Sequence, residues 1–146
     1  MKIAVDFDGT IVEHRYPEIG EEFLFAIETL KEFQRQKHQI ILWTFRSGTE
    51  LDEAVEYCRK RGLEFYAVNC NFPEEEYDGT FSRKINADIF IDDRNLGGFP
   101  GWSVVFEMIT SGKPFEPHFC NALPRKSRNV FGKLCDLFKS PTTSNI

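Results

Sequence analysis

Apolar residues along this chain fall into two alternating rhythms, short unbroken runs and longer stretches with helical spacing. Residues 2–5 (KIAV) and 39–43 (QIILW) are near-continuous apolar runs, the pattern of strands buried on both faces of a parallel sheet. Between them Phe23, Ile27, Leu30 and Phe33 recur on one helical face, which predicts a helix over residues 21–37. Glu21 and Glu22 fall in its first turn and Arg35 and Lys37 in its last, the charge order a helix dipole favours. After Ser47-Gly48-Thr49 a second helical pattern runs through Leu51, Ala54, Val55 and Cys58; Thr49 and Asp52 have capping-box spacing and Gly62 is a natural stop. Residues 64–68 and 87–91 predict a third and a fourth strand.

The rhythm breaks over residues 70–83, with Pro73, the acidic run Glu74-Glu75-Glu76 and an Asp78-Gly79 turn signal. Residues 102–109 suit a helix or a strand, and periodicity does not decide between them. The tail carries one amphipathic stretch, Phe131, Leu134, Cys135 and Phe138, interrupted by Gly132. Strand, helix, strand, helix, strand is the grammar of a three-layer α/β domain with a doubly wound, mostly parallel sheet. The expected organisation is a core over residues 1–112 and a C-terminal extension over 113–146, packed on that core or partly disordered.

In such a sheet, ligands bind outside the carboxyl ends of the strands. Asp6 and Asp8 leave strand one, Thr44 leaves strand two, Lys84 precedes strand four, and Asp92-Asp93 leave it. If the strands are parallel neighbours, all six residues converge on one edge. Four carboxylates sharing a pocket with one lysine and one hydroxyl repel one another unless a cation joins them. A hard divalent ion with oxygen ligands, Mg²⁺, resolves the conflict. Phosphoryl transfer needs neutralised oxygens, an in-line nucleophile and a proton donor, and two carboxylates spaced i, i+2 can divide the last two roles. Lys84 and the Thr44 hydroxyl would hold the remaining oxygens, with backbone N–H groups around Gly9 as further donors.

Composition narrows the partners. The chain has 146 residues, 41% apolar and 28% charged, the balance of a globular domain. Six Lys/Arg against Glu116 and Asp136 give residues 113–146 a net charge of +4, leaving −9 for the first 112 residues of a chain whose total is −5. That acidic body disfavours long nucleic acid, whose binding needs basic clusters. Cys58, Cys70, Cys120 and Cys135 form no CxxC pair and read as free thiols, and His14, His38 and His118 have no zinc-site spacing. No apolar run approaches a membrane span, and carboxylates stand in the first ten residues, so the expected compartment is the cytoplasm. The partner expected is a small phosphate ester; a homo-oligomer is compatible with the apolar face of residues 131–138.

The segment DFDGTI resembles motif I of the haloacid dehalogenase (HAD) superfamily, the run ending in Thr44 is similar to motif II, Lys84 falls where motif III has its basic residue, and IFIDD at 89–93 resembles motif IV. The resemblance covers residues 2–93. It implies Asp6 as a nucleophile forming an aspartyl-phosphate and Asp8 as general acid, then base. It implies Mg²⁺ held by the Asp6 carboxylate, the Asp8 backbone carbonyl and Asp93, with Asp92 in support. Asp8 favours phosphate esters over dehalogenation. Neither interval between the motifs has room for a cap domain, so the implied protein is a capless, Mg²⁺-dependent phosphatase. Arg46 and Arg94 are expected either to grip the substrate or to serve as ordinary surface or salt-bridging arginines. Two other readings use the same residues. A receiver-like signalling module needs an acceptor Asp after strand three, where this chain has Asn69-Cys70, and a phosphate-binding scaffold needs no turnover.

Overall fold

The computed structural model describes residues 1–112. Its element order is β1 (Lys2–Val5), α1 (Ala26–Arg35), β2 (Gln39–Leu42), α2 (Gly48–Lys60), β3 (Ala67–Val68), β4 (Ile89–Ile91) and α3 (Trp102–Ser111). The four strands form one all-parallel sheet in the order β3-β2-β1-β4. From β1 the chain winds outward through β2 to β3, then crosses back to place β4 on the other side of β1. This is the α/β build that the alternating rhythms predict.

Side chains alternate across the sheet. Ile3 and Val5 of β1, Ile40 and Leu42 of β2 and Ile91 of β4 pack in one cluster with Leu30 and Phe33 of α1, Ala54 and Cys58 of α2, and Trp102 and Val105 of α3. Fully burying a side chain such as Leu30 or Phe33 contributes about 1.5–3 kcal/mol. Ala4 and Ile41 face the other way, against Ala67, Ile85, Trp43 and Phe90. Among the described residues that second face packs against Tyr66 and the irregular chain after β3, through Cys70, Ile85 and Ala87, rather than against a helix.

Several boundaries differ from the sequence expectation for identifiable reasons. Residues 21–23 are extended instead of helical, because Glu13 N–H donates to Glu21 O and Phe23 N–H to Ile11 O, pairing them with the chain that follows β1. Phe25, at φ 67°, then turns the chain into α1. At the other end Lys37 takes φ 67° and stands outside the helix it was expected to finish. The expected Thr49–Asp52 capping box does not form; Ser47 is the N-cap of α2, and no side chain caps it. The stretch after residue 101 is a helix, tied to α1 by the stacked rings of Phe33 and Phe106, 6.0 Å apart.

Cys58 and Cys70 are free thiols, and burial pushes Cys58 up to about 12, which removes it as a nucleophile. No helix among the described residues is long and apolar enough to cross a membrane. Cys120, Cys135, the amphipathic stretch 131–138 and the extension 113–146 lie outside the described residues.

Candidate functional site

Strand order reverses at β1, and the crevice at the carboxyl ends of β1 and β4 is where a parallel sheet offers a ligand site. Register fills it. Val5 pairs with Ile91, so the next residues, Asp6 and Asp92, emerge side by side, and Asp6 N–H donates to Ile91 O at 2.9 Å. Asp6, Asp92 and Asp93 each bring a carboxylate oxygen to within 4.8 Å of the others.

The electrostatics of this trio are uncompensated. Asp6 is pushed up to about 6, mainly by burial, with the negative charges of Asp92 and Asp93 adding to the rise. Hydrogen bonds from Phe7 N–H and the Thr44 hydroxyl oppose it without cancelling it. The Oδ1 atom of Asp93 is buried with no hydrogen-bond partner among the described residues. A carboxylate oxygen left so is costly unless a cation meets it. Three carboxylates, one with an orphaned oxygen, are the donor set a hard divalent ion takes. The trio could therefore hold a metal ion.

Asp8 is treated differently. Its carboxylate is 8% exposed and accepts two bonds from Arg46, Nε to Oδ2 and Nη2 to Oδ1, both 2.7 Å. The Arg46 guanidinium, 1% exposed, also donates from Nη1 to Pro17 O at 2.9 Å and from Nη2 to Glu18 O at 2.8 Å, with the Phe7 and Tyr16 rings 5.0 and 5.3 Å from its carbon. Four of its five donors are thus committed inside the protein. Of the two expectations for Arg46 the structure shows the salt-bridging one, with Asp8 as the buried partner, although Arg46 also lines the cavity over the site.

A cavity of about 430 Å³ opens over the site, lined by Asp6, Asp8, Thr44, Asp92 and Arg94 among others. Thr44 is held there by Asn69, whose Oδ1 accepts the Thr44 N–H at 2.8 Å. Arg94 stands exposed at the rim. Two expected substrate contacts are not brought in. Lys84 is exposed, does not line the cavity, and holds its amine 5.9 Å from the centre of the Phe90 ring on the sheet's second face. The Gly9 N–H is spent on Val12 O at 2.7 Å, so Gly9 offers no donor. What Gly9 supplies is space. At φ 85° an added Cβ would lie 2.6 Å from Asp93 Cγ and closer still to Oδ2.

Sequence reasoning missed the residues that lock these loops. The fully buried Thr10 accepts Asp93 N–H on its hydroxyl at 3.1 Å, and its carbonyl accepts the Trp102 indole N–H at 2.8 Å, joining β1, β4 and α3. His14 and Tyr16, which line the cavity, fall in the stretch between the first strand and the helix expected over 21–37, to which the pattern assigned no element. Pro17 and Gly20 were the turn signals that could have marked that stretch as a loop.

No protein-family model matches the chain, and no curated protein matches it. Among solved structures it is similar to a conserved protein from Bacteroides thetaiotaomicron, with a TM-score of 0.76 and 62% identity over 82% of this chain and 97% of that one. At that identity and coverage, the chain belongs to the same family as this conserved Bacteroides thetaiotaomicron protein.

Proposed function

We propose that the protein is a Mg²⁺-dependent phosphate monoester hydrolase of the HAD type, with Asp6 as its nucleophile. The observation that carries the reading is the uncompensated trio Asp6, Asp92 and Asp93, of which Asp6 and Asp92 line an open cavity while Asp93 keeps one carboxylate oxygen orphaned in the interior. Asp6 and Asp93, with Asp92 in support and the Asp8 backbone carbonyl, would hold the ion. Bound there, Mg²⁺ would offset the charge of the phosphoryl oxygens and of the carboxylates.

Asp6 attacks phosphorus through a carboxylate oxygen, forming an aspartyl-phosphate as the ester P–O bond breaks. Asp8 gives its proton to the leaving oxygen. It then takes a proton from water as that water attacks the aspartyl-phosphate, which frees inorganic phosphate and restores Asp6. Thr44, whose hydroxyl already bonds Asp6, is the neighbour for a phosphoryl oxygen, and Arg94 at the rim supplies positive charge. One observation favours the alternative of phosphate binding without hydrolysis. Both Asp8 oxygens accept from Arg46, so a proton on Asp8 must occupy lone pairs directed away from the guanidinium.

Phosphate release from an aryl phosphate decides between them. The reading requires release that depends on Mg²⁺ and disappears in Asp6→Asn. Release that persists in excess chelator, or in the folded variant, would refute it. Mg²⁺ binding without release would transfer the site to the alternative.

A further inference from the structure

A second cavity, of about 450 Å³, adjoins the first, and Trp43 and Thr44 line both. Its outer walls come from the segment between β3 and β4: Tyr77, Phe81, Ser82 and Arg83, with Asn69 at its base. The two outer rings are fixed against each other. The Tyr77 and Phe81 centroids lie 5.3 Å apart in an edge-to-face arrangement, and the Arg83 guanidinium carbon sits 4.2 Å from the Tyr77 centroid. Yet Tyr77 remains 47% exposed and Phe81 39% exposed, so ring surface is left open around a concave space. Aromatic faces beside an arginine offer a planar heterocycle both stacking and cation–π contact.

Position adds the second half of the argument. Thr44 lines both cavities and Asp6 lines the first, so a phosphoryl group at Asp6 shares a wall residue with this second cavity. On the side of Asp8, the buried Arg46 is committed to Asp8 and to the carbonyls of Pro17 and Glu18. We propose that the cavity bounded by Trp43, Tyr77, Phe81 and Arg83 is the leaving-group subsite, and that the substrate is a phosphate ester whose leaving group carries a planar ring, of the nucleoside monophosphate class. The assignment rests on the phosphatase reading for the place of the phosphate, but base recognition can be measured without turnover.

Adenosine 5′-monophosphate and ribose 5-phosphate share the phosphate and the sugar and differ in the base. Calorimetry on the full-length Asp6→Asn protein with excess Mg²⁺ should give adenosine 5′-monophosphate roughly tenfold tighter binding. Replacing both rings (Tyr77→Leu with Phe81→Leu) keeps apolar bulk and removes the stacking faces. It should erase that advantage and leave ribose 5-phosphate affinity unchanged. Equal affinity for the two probes, a preference that survives the double substitution, or no measurable binding of either would overturn the subsite. Failure of the hydrolase reading shows separately, as absence of phosphate release from the wild type. A base preference without release would leave the subsite standing on a protein that binds and does not cleave.

Discussion

Replacing the proposed nucleophile should make the metal-free protein more stable. Asp6 titrates near 6 in the folded chain against 3.8 for an ordinary aspartate, chiefly because burial disfavours its charge. A folded-state value raised this way means the native protein holds the proton more tightly than the unfolded chain. Below the unfolded value both states are protonated and Asp6 is neutral to stability. As pH rises through the folded value, the native state must ionise a buried carboxyl, and stability is lost. The gap corresponds to about 3 kcal/mol at 1.36 kcal/mol per unit. Asparagine has nearly the same shape and carries no charge, so Asp6→Asn escapes that cost.

In chelator at pH 7.5 the variant should therefore exceed the wild type by about 2–3 kcal/mol, a difference that shrinks below pH 6 and vanishes near pH 4. Urea unfolding at four pH values reads it as a midpoint shift at constant slope. Saturating Mg²⁺ should reverse the order, since an ion at a thousand times its dissociation constant adds about 4.1 kcal/mol to the protein that binds it. A wild type at least as stable as Asp6→Asn in chelator, or a difference independent of pH, would refute the electrostatic account of the site.

Two other substitutions probe the parts that frame the trio. Arg46→Met removes a fully buried guanidinium and leaves Asp8 with an unpaired buried charge, so it should cost about 3–5 kcal/mol in urea unfolding. The double variant Asp8→Leu with Arg46→Met should recover part of that loss, and a single-variant loss below about 1 kcal/mol would mean the pair is not buried as described. Gly9→Ala forces a methyl group into the space held by the Asp93 carboxylate at a backbone angle that favours glycine. It should weaken Mg²⁺ binding about 10–100-fold by calorimetry, and an unchanged affinity would separate Asp93 from the metal site.

The sequence exposed the parts of this architecture that are local. The runs before Asp6, Thr44 and Asp92 are strands because apolar residues at those positions can be buried on both faces, and the switch-point rule then places their ends together. What it hid depends on contacts between distant residues. Arg46 meets Asp8 across 38 positions, and nothing in the pattern around FRSG distinguishes a buried arginine from a surface one. Residues 21–23 look helical by spacing, and only their pairing with residues 11–13 makes them extended. Lys84 is near the site in sequence terms, but the irregular chain around it turns its amine toward Phe90. The Trp43–Tyr77–Phe81 wall was equally illegible, since its rings come from a strand end and a loop whose course no periodicity describes.

The distribution of charge at the carboxyl edge is the deeper regularity. Four acids leave β1 and β4 there, and one buried arginine stands among them. That arginine does not sit between the acids as a general neutraliser; it binds both oxygens of Asp8 and turns its remaining donors to Pro17 and Glu18. Asp8 is thereby fixed in direction, while Asp6, Asp92 and Asp93 are left to repel one another in a partly desolvated crevice. A fold that only needed a stable strand edge would be better served by amides or apolar residues at those three positions. Gly9 keeps a space open for the Asp93 carboxylate, and Thr10 holds the backbone of that same residue in place. Repulsion maintained at one point by such specific supports makes physical sense when a doubly charged ion completes the arrangement.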